Sequence, residues 1–366
     1  MEQDKRNMEE KGCKTYNDRI GKYLQKSMTE FVFAELSERF MEKCGVTGFM
    51  KNVPVPFKQS DLGSAKDGKG ISAIRISENM AVILGMDPNF KYREKYLKFI
   101  DVLFGEKFAA GLLDIARSEL AKENFEDACI YFRACLCIDS HNLRAMHGYA
   151  LCCRELYSAG YDKGEDDEYV GLFKAESMDC FEQMTIDYPD FAVSYFYLGY
   201  AYLNMGLYGK ADVAWKDFMR LSEAEVSSAE TSEVSAKESE ERAAVERQLA
   251  EMRTEISARL REIEVPCEIE KGCNAVVSGR YALGIEILEP FVKGKFERWW
   301  PLYYYLGEAY LSSGMEDKAE ESFLKLLTLN AGHVETMQEL AEIYRRRGDE
   351  EGMQKYLRKI ELMQEQ

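Results

Sequence analysis

Proline is scarce in this chain, seven residues in 366, and histidine scarcer still at three. So few prolines leave long segments free to remain helical, because proline removes a backbone donor and breaks a helix interior. Positive charge is also short: 48 Lys and Arg face 65 Asp and Glu, a formal net charge of -17. A field of that sign repels phosphate backbones and anionic lipid, so neither nucleic acid nor a membrane is an expected partner. No apolar stretch approaches the roughly 20 residues that cross a bilayer. The opening MEQDKRNMEEKGCK carries charge but lacks the apolar centre of a secretory leader, and a cytoplasmic location is expected. Ten cysteines fall mostly inside apolar helical runs, without the even loop spacing of a secreted disulfide framework. They read as buried thiols in a reducing compartment.

What the chain does have is packing material and a period. Hydrophobic residues make up 46% and aromatics 12%, enough for a folded interior. The length exceeds the roughly 250–300 residues at which one core stops growing, which suits two domains or an extended array. In the C-terminal third, 303–327 and 337–361 superpose with Leu306 on Leu340, Gly307 on Ala341, Tyr310 on Tyr344, Gly314 on Gly348 and Phe323 on Leu357, each 34 residues apart. Residues 195–219 repeat the signature at Leu198, Gly199, Tyr202, Gly206, Ala211 and Trp215. A small residue lets the first helix of each copy approach its neighbour, a glycine suits the turn, and a second small residue followed by an aromatic fills the second helix.

This order of large, small and aromatic residues resembles the tetratricopeptide repeat family. Weaker copies extend the resemblance: 109–142 with Ala116, Ala128 and Phe132, 143–190 with Tyr149, Ala150 and Phe181, and 265–299 with Gly272, Gly279, Tyr281, Gly284 and Leu288. It covers about 109–225 and 265–366. The implied fold is all-α, a superhelix of stacked helical hairpins. The domain layout expected is 1–105 as a mostly helical N-terminal region with an irregular 46–75, 106–225 as about three repeats, 226–264 as a polar linker and charged helix, and 265–366 as about three further repeats. An insertion of half a repeat is expected at 157–173.

Several segments break the pattern. Residues 16–45 place Ile20, Leu24, Met28, Phe31, Val32, Leu36 and Phe40 at helical spacing, and 87–105 begins with an Asp-Pro start signal. Both are read as helices packed on the first repeat, with a possible short strand pair between them. Residues 222–241 are rich in Ser, Ala and Glu and read as a mobile linker. From 238 to 264 a narrow stripe of Val245, Leu249, Met252, Ile256 and Ile263 runs near coiled-coil spacing until Pro266, which is read as its end. That stripe either packs on adjacent repeats or serves as a docking or dimerisation helix.

Reaction chemistry is hard to find. GSAKDGKG (63–70) spaces its glycines and lysine like a phosphate-cradling P-loop, but Gly70 stands where a magnesium-binding hydroxyl belongs. The following ISAIRIS alternates like a strand instead of opening a helix. A solvated turn is the reading, and a nucleotide-dependent enzyme is the least favoured function. His141 and His147 lie near four cysteines without a paired C-x-x-C, and 162–171 lacks the glycine and spaced acids of a calcium loop, leaving a solvated acidic loop. No catalytic residue, cofactor or metal ligand is assigned.

The family resemblance implies a concave face lined by the first helix of each pair, used to hold peptides or partner helices. Helical spacing places Phe196, Tyr200 and Asn204 there in one copy, Tyr304, Glu308 and Ser312 in another, and Gln338, Glu342 and Arg346 in the last. Upstream copies offer Leu113, Arg117, His147 and Leu151. Family members that grip acidic chaperone tails use lysines and asparagines on this face. The aromatics and acids here point instead to an apolar, aromatic-rich or basic ligand. RWWPLYYY (298–305) is the densest aromatic cluster. The expected function is a non-catalytic protein-interaction scaffold. The alternative is self-assembly through 238–264.

Overall fold

The computed structural model of the protein describes residues 18–60, 71–105, 107–229 and 236–364. It divides into two compact units, Met1–Leu198 and Gly199–Gln366.

The first unit begins with a short helix α1 (Gly21–Leu24) and a 3-10 turn, followed by strand β1 (Phe31–Glu35), helices α2 (Glu38–Cys44) and α3 (Thr47–Met50), and strand β2 (Pro54–Lys58). The strands pair antiparallel, Phe31 opposite Lys58 and Glu35 opposite Pro54. Residues 16–45 therefore do not form the one amphipathic helix that their spacing predicts. Phe31, Val32 and Phe33 are β-formers, and the partner strand supplies more extended residues in Val55 and Phe57. Ser37 then restarts the chain as a helix by accepting a hydrogen bond from the Phe40 amide.

Helices α4 (Ala73–Met86) and α5 (Arg93–Phe104) lead into two hairpins, α6 (Lys107–Ala121) with α7 (Phe125–Ile138), and α8 (Leu143–Lys163) with α9 (Asp167–Asp187). The alternation of 71–77 is thus overruled: Ser72 accepts from the Arg75 amide and opens a helix whose interior is among the most buried in the unit. One hydrophobic cluster joins Ile20, Leu24, Val55, Met80, Phe99, Phe132 and Phe173, so the N-terminal segment and the first hairpins share a core. A buried ion pair pins it, with Arg133 Nη2 2.8 Å from Asp18 Oδ1.

The segment 157–173, expected as an insertion, does not form a loop. These residues complete α8 and α9, 21 residues each, and the hairpin turns at Gly164, which adopts a left-handed φ of 71°. The acidic loop expected at 162–171 shrinks to this turn, because Asp166 accepts from the Tyr169 amide and starts α9. They include Tyr169 and Phe173, whose rings lie 4.9 and 5.9 Å from Tyr23. Lys22 pairs with Glu168 at 2.8 Å beside them. This end of the hairpin is thus a platform for the N-terminal segment.

Helix α10 (Ala192–Asn204) crosses from one unit's residues to the other's. The second unit continues with α11 (Tyr208–Ala229), α12 (Ala236–Val277), α13 (Tyr281–Leu288), and two hairpins, α14 (Trp300–Ser312) with α15 (Glu316–Leu329), and α16 (Val334–Arg347) with α17 (Glu350–Gln364). Part of the expected linker is helical, since 222–229 belongs to α11. Pro266 does not end the charged helix. It sits inside the 42 residues of α12, and the carbonyl it leaves without a donor belongs to exposed Glu262, within reach of water. Leu249, Ile256 and Ile263, seven residues apart, are all buried. α12 packs along α11, and the Arg253 guanidinium donates to the Ser222 carbonyl at 3.2 Å. Leu249, Ile256 and Ile263 of the coiled-coil-like stripe are therefore covered by the chain itself, whereas Val245 at its start is 51% exposed.

Candidate functional site

In the second unit α14 and α16 present the first-helix face that the sequence assigns to a ligand. Tyr304 is half-buried, its ring 5.1 Å from His333 and 5.8 Å from Tyr305. Trp300, one turn earlier on the same helix, lies 4.8 Å from the same imidazole. His333 is held as the N-cap of α16, with Nδ1 accepting from the Thr336 amide at 3.2 Å. Two aromatic side chains from one hairpin thus pack on the capping residue of the next.

One turn beyond Tyr304 is Glu308. Its Oε1 is shielded from solvent and has no hydrogen-bond partner among the described residues. Burial first, and the Glu339 charge second, raise its pKa above the ordinary carboxylate value. The charges of Glu308, Glu339 and Glu335 also bear on the Tyr304 hydroxyl and help burial raise its pKa. The neighbourhood is aromatic and anionic, and no cation among the described residues pairs with Glu308.

The last repeat differs. Arg345 donates to both oxygens of Glu342 at 2.7 Å, and this pairing lowers the Glu342 pKa. Arg346 lies 3.0 Å from Glu316 and 3.7 Å from Glu342. Gln338 is exposed. Glu342 and Arg346 thus each have an opposite charge beside them, whereas Glu308 has none among the described residues.

The residues expected on α10 do not form one exposed strip. Phe196 is 7% exposed and packs edge-on against Tyr197 at 5.1 Å. It is a core residue, because its helix turns that position inward. Tyr200 packs on Trp215 at 5.1 Å and its hydroxyl donates to Glu255 of α12, so the long helix covers it. Asn204, at the end of α10, is exposed. Upstream, Leu113 is buried and Arg117 exposed. His147 sits among Phe191, Tyr197 and Phe181 at 5.5, 5.9 and 6.5 Å, and the Arg154 guanidinium lies 4.8 Å over the Tyr197 ring.

His333 is the residue that the sequence reading missed at this face; Trp300 belongs to the aromatic cluster 298–305 and precedes Tyr304 by four positions. His333 had no such signal, since histidine is not among the preferred capping residues.

The glycine-lysine motif 63–70 lies outside the described residues. Among those described, no three His, Cys, Asp or Glu side chains gather to hold a metal ion. Cys153 and Cys180 are held well above the usual thiol pKa by burial. No helix among the described residues is long and apolar enough to cross a membrane.

Residues 301–333 match the tetratricopeptide repeat family model. No curated protein matches the chain. Among solved structures it is similar to MamA (41-end) from Desulfovibrio magneticus RS-1, with 16% identity over 59% of this chain and 95% of that one and a TM-score of 0.32. A tetratricopeptide repeat protein from Parabacteroides merdae ATCC 43184 shows 13% identity, coverages of 89% and 92%, and a TM-score of 0.27. The TPR domain of P58(IPK) shows 14% identity, coverages of 84% and 92%, and a TM-score of 0.26.

Proposed function

We propose that this tetratricopeptide-repeat protein is a non-catalytic scaffold that holds a peptide or partner helix against the α14–α16 face. The observation that carries the reading is Glu308: a carboxylate with one shielded, unpartnered oxygen, set one helical turn from Tyr304 and facing further acid instead of a base. Leaving such a group unanswered costs free energy, and a cation brought by a ligand would recover it. Trp300 and Tyr304 offer flat apolar surface beside the charge, the residue types that dominate binding hot spots. A segment with one basic side chain and an adjacent apolar anchor fits this combination.

The test is affinity capture with the full chain. Tyr304→Ala with Glu308→Lys should abolish retention of the partner while the helical circular dichroism stays unchanged, and Asn204→Ala should retain it. Unchanged capture by the double variant would remove this face from consideration.

A further inference from the structure

We propose that β1 is the receiving edge for an extended, basic segment of another protein, which joins the β1–β2 pair as a third strand. The inference stands apart from the helical face and rests on the first unit alone.

The register fixes which backbone groups point outward. Pro54 and Pro56 have no N–H, so the pairs Glu35–Pro54 and Phe33–Pro56 cannot exchange hydrogen bonds, and the ladder runs through Val32–Phe57 and Ala34–Val55. In an antiparallel pair the N–H and C=O of a residue point to the same side. Phe33 and Glu35 therefore direct theirs away from β2, and the two prolines direct their carbonyls away from β1.

The two outer edges are finished differently. On β2 the Tyr96 hydroxyl donates to the Pro54 carbonyl at 2.7 Å, and the Asn79 amide donates to that of Pro56 at 3.3 Å. Together with the missing donors, this closes the edge. On β1 the Phe33 and Glu35 backbone groups meet no partner among the described residues. No proline blunts this edge and Glu35 is its one charge; beside it Val32 is 43% and Phe33 39% exposed.

An extended backbone is what matches this alternation of donors and acceptors. Its charge follows from the surroundings. Glu35 has no ion-pair partner among the described residues, and the one cation within the two strands, Lys58, is engaged by Glu30 at 3.0 Å. A chain carrying -17 favours a basic visitor over a second copy of itself. An apolar residue of the visitor would extend the surface begun by Phe33, whose ring stacks on Phe90 at 5.9 Å.

The probe is a fluorescein-labelled peptide of alternating lysine and valine, titrated against the full chain by anisotropy, with a glutamate–valine peptide as control. Phe33→Pro removes the outward donor and the ring, whereas Phe33→Ala removes only the ring. We expect saturable binding of the lysine peptide, at least ten-fold weaker binding of the glutamate peptide, and at least ten-fold weaker binding to Phe33→Pro than to Phe33→Ala. Tyr304→Ala with Glu308→Lys should leave this binding intact, which separates it from the helical face. In the unsubstituted protein, hydrogen exchange should be fast at the Phe33 and Glu35 amides, slow at Val32 and Ala34, and slowed at Phe33 and Glu35 by the peptide. Equal binding to the two Phe33 variants, no binding, or no added protection would overturn the proposal. So would a concentration-dependent dimer in sedimentation velocity that Phe33→Pro abolishes, which would assign the edge to a second copy.

Discussion

Trp215 occupies the space where Gly199 would carry a side chain: a Cβ built on the glycine would stand 2.2 Å from the indole nitrogen. The two are 16 residues apart. Gly307 and Phe323 stand in the same relation with 2.3 Å, as do Gly272 and Leu288 with 2.6 Å. The hairpin is thus built on a fixed pairing of a small residue in its first helix with a large one in its second.

Gly307→Ala should destabilise the chain by about 1–3 kcal/mol, the usual cost of overpacking, measured by urea denaturation. Adding Phe323→Leu should recover part of the loss. Gly314→Ala has open space around it but a φ of 75°, so its cost should be about 1 kcal/mol and unaffected by Phe323→Leu.

His147 should make stability depend on pH. Burial first, and Arg154 second, lower its pKa from 6.5 to about 4. Between those values the unfolded chain binds a proton that the folded chain refuses, so stability is full above 6.5 and is lost as the pH falls toward 4. At 1.36 kcal/mol per pKa unit the loss is on the order of 3 kcal/mol. The unfolding free energy of His147→Phe, measured over the same window, should decline less steeply than that of the unsubstituted protein by about this amount.

Asp18→Ala should be costly for its size. Arg133 is 6% exposed and its partner carboxylate 12%, so truncating Asp18 strands a cation in the interior. The expected loss is about 3–5 kcal/mol in urea denaturation. Arg133→Met with Asp18→Ala should be milder than Asp18→Ala alone, since it removes the stranded charge.

Pro266→Ala tests the continuity of α12. An interior proline costs up to about 3 kcal/mol relative to alanine, so the variant should raise the melting temperature without changing helical content. A fall would mean that Pro266 serves the packing of the second unit.

The helical hairpins were legible because a 34-residue period repeats the same size constraints: Gly199 with Trp215 and Gly307 with Phe323 are contacts that one sequence can display twice. Phe31–Glu35 was not legible. Its apolar residues satisfy a helical spacing as well as a strand, and only the distant segment Pro54–Lys58 decides between them. Residues 71–77 misled in the opposite direction, because a short alternation carries less weight than the Ser72 cap and the apolar run to Met86. At the candidate face the spacing rule reached Tyr304 and Glu308 but could not tell that Phe196 turns inward or that α12 reaches Tyr200, since both depend on which helix becomes the neighbour. Local propensity alone makes Pro266 a stop; the burial of Ile263 before it and of Cys267, Ile269 and Cys273 after it holds the helix through that position.

The prolines of β2 also set a limit on stoichiometry. Fibrous growth by strand addition needs two usable sides, one to join and one to be joined. With Pro54 and Pro56 sealing one side, each chain can be extended once, so the complex ends at a single visitor, and the exposed Val32 and Phe33 do not seed a continuing filament.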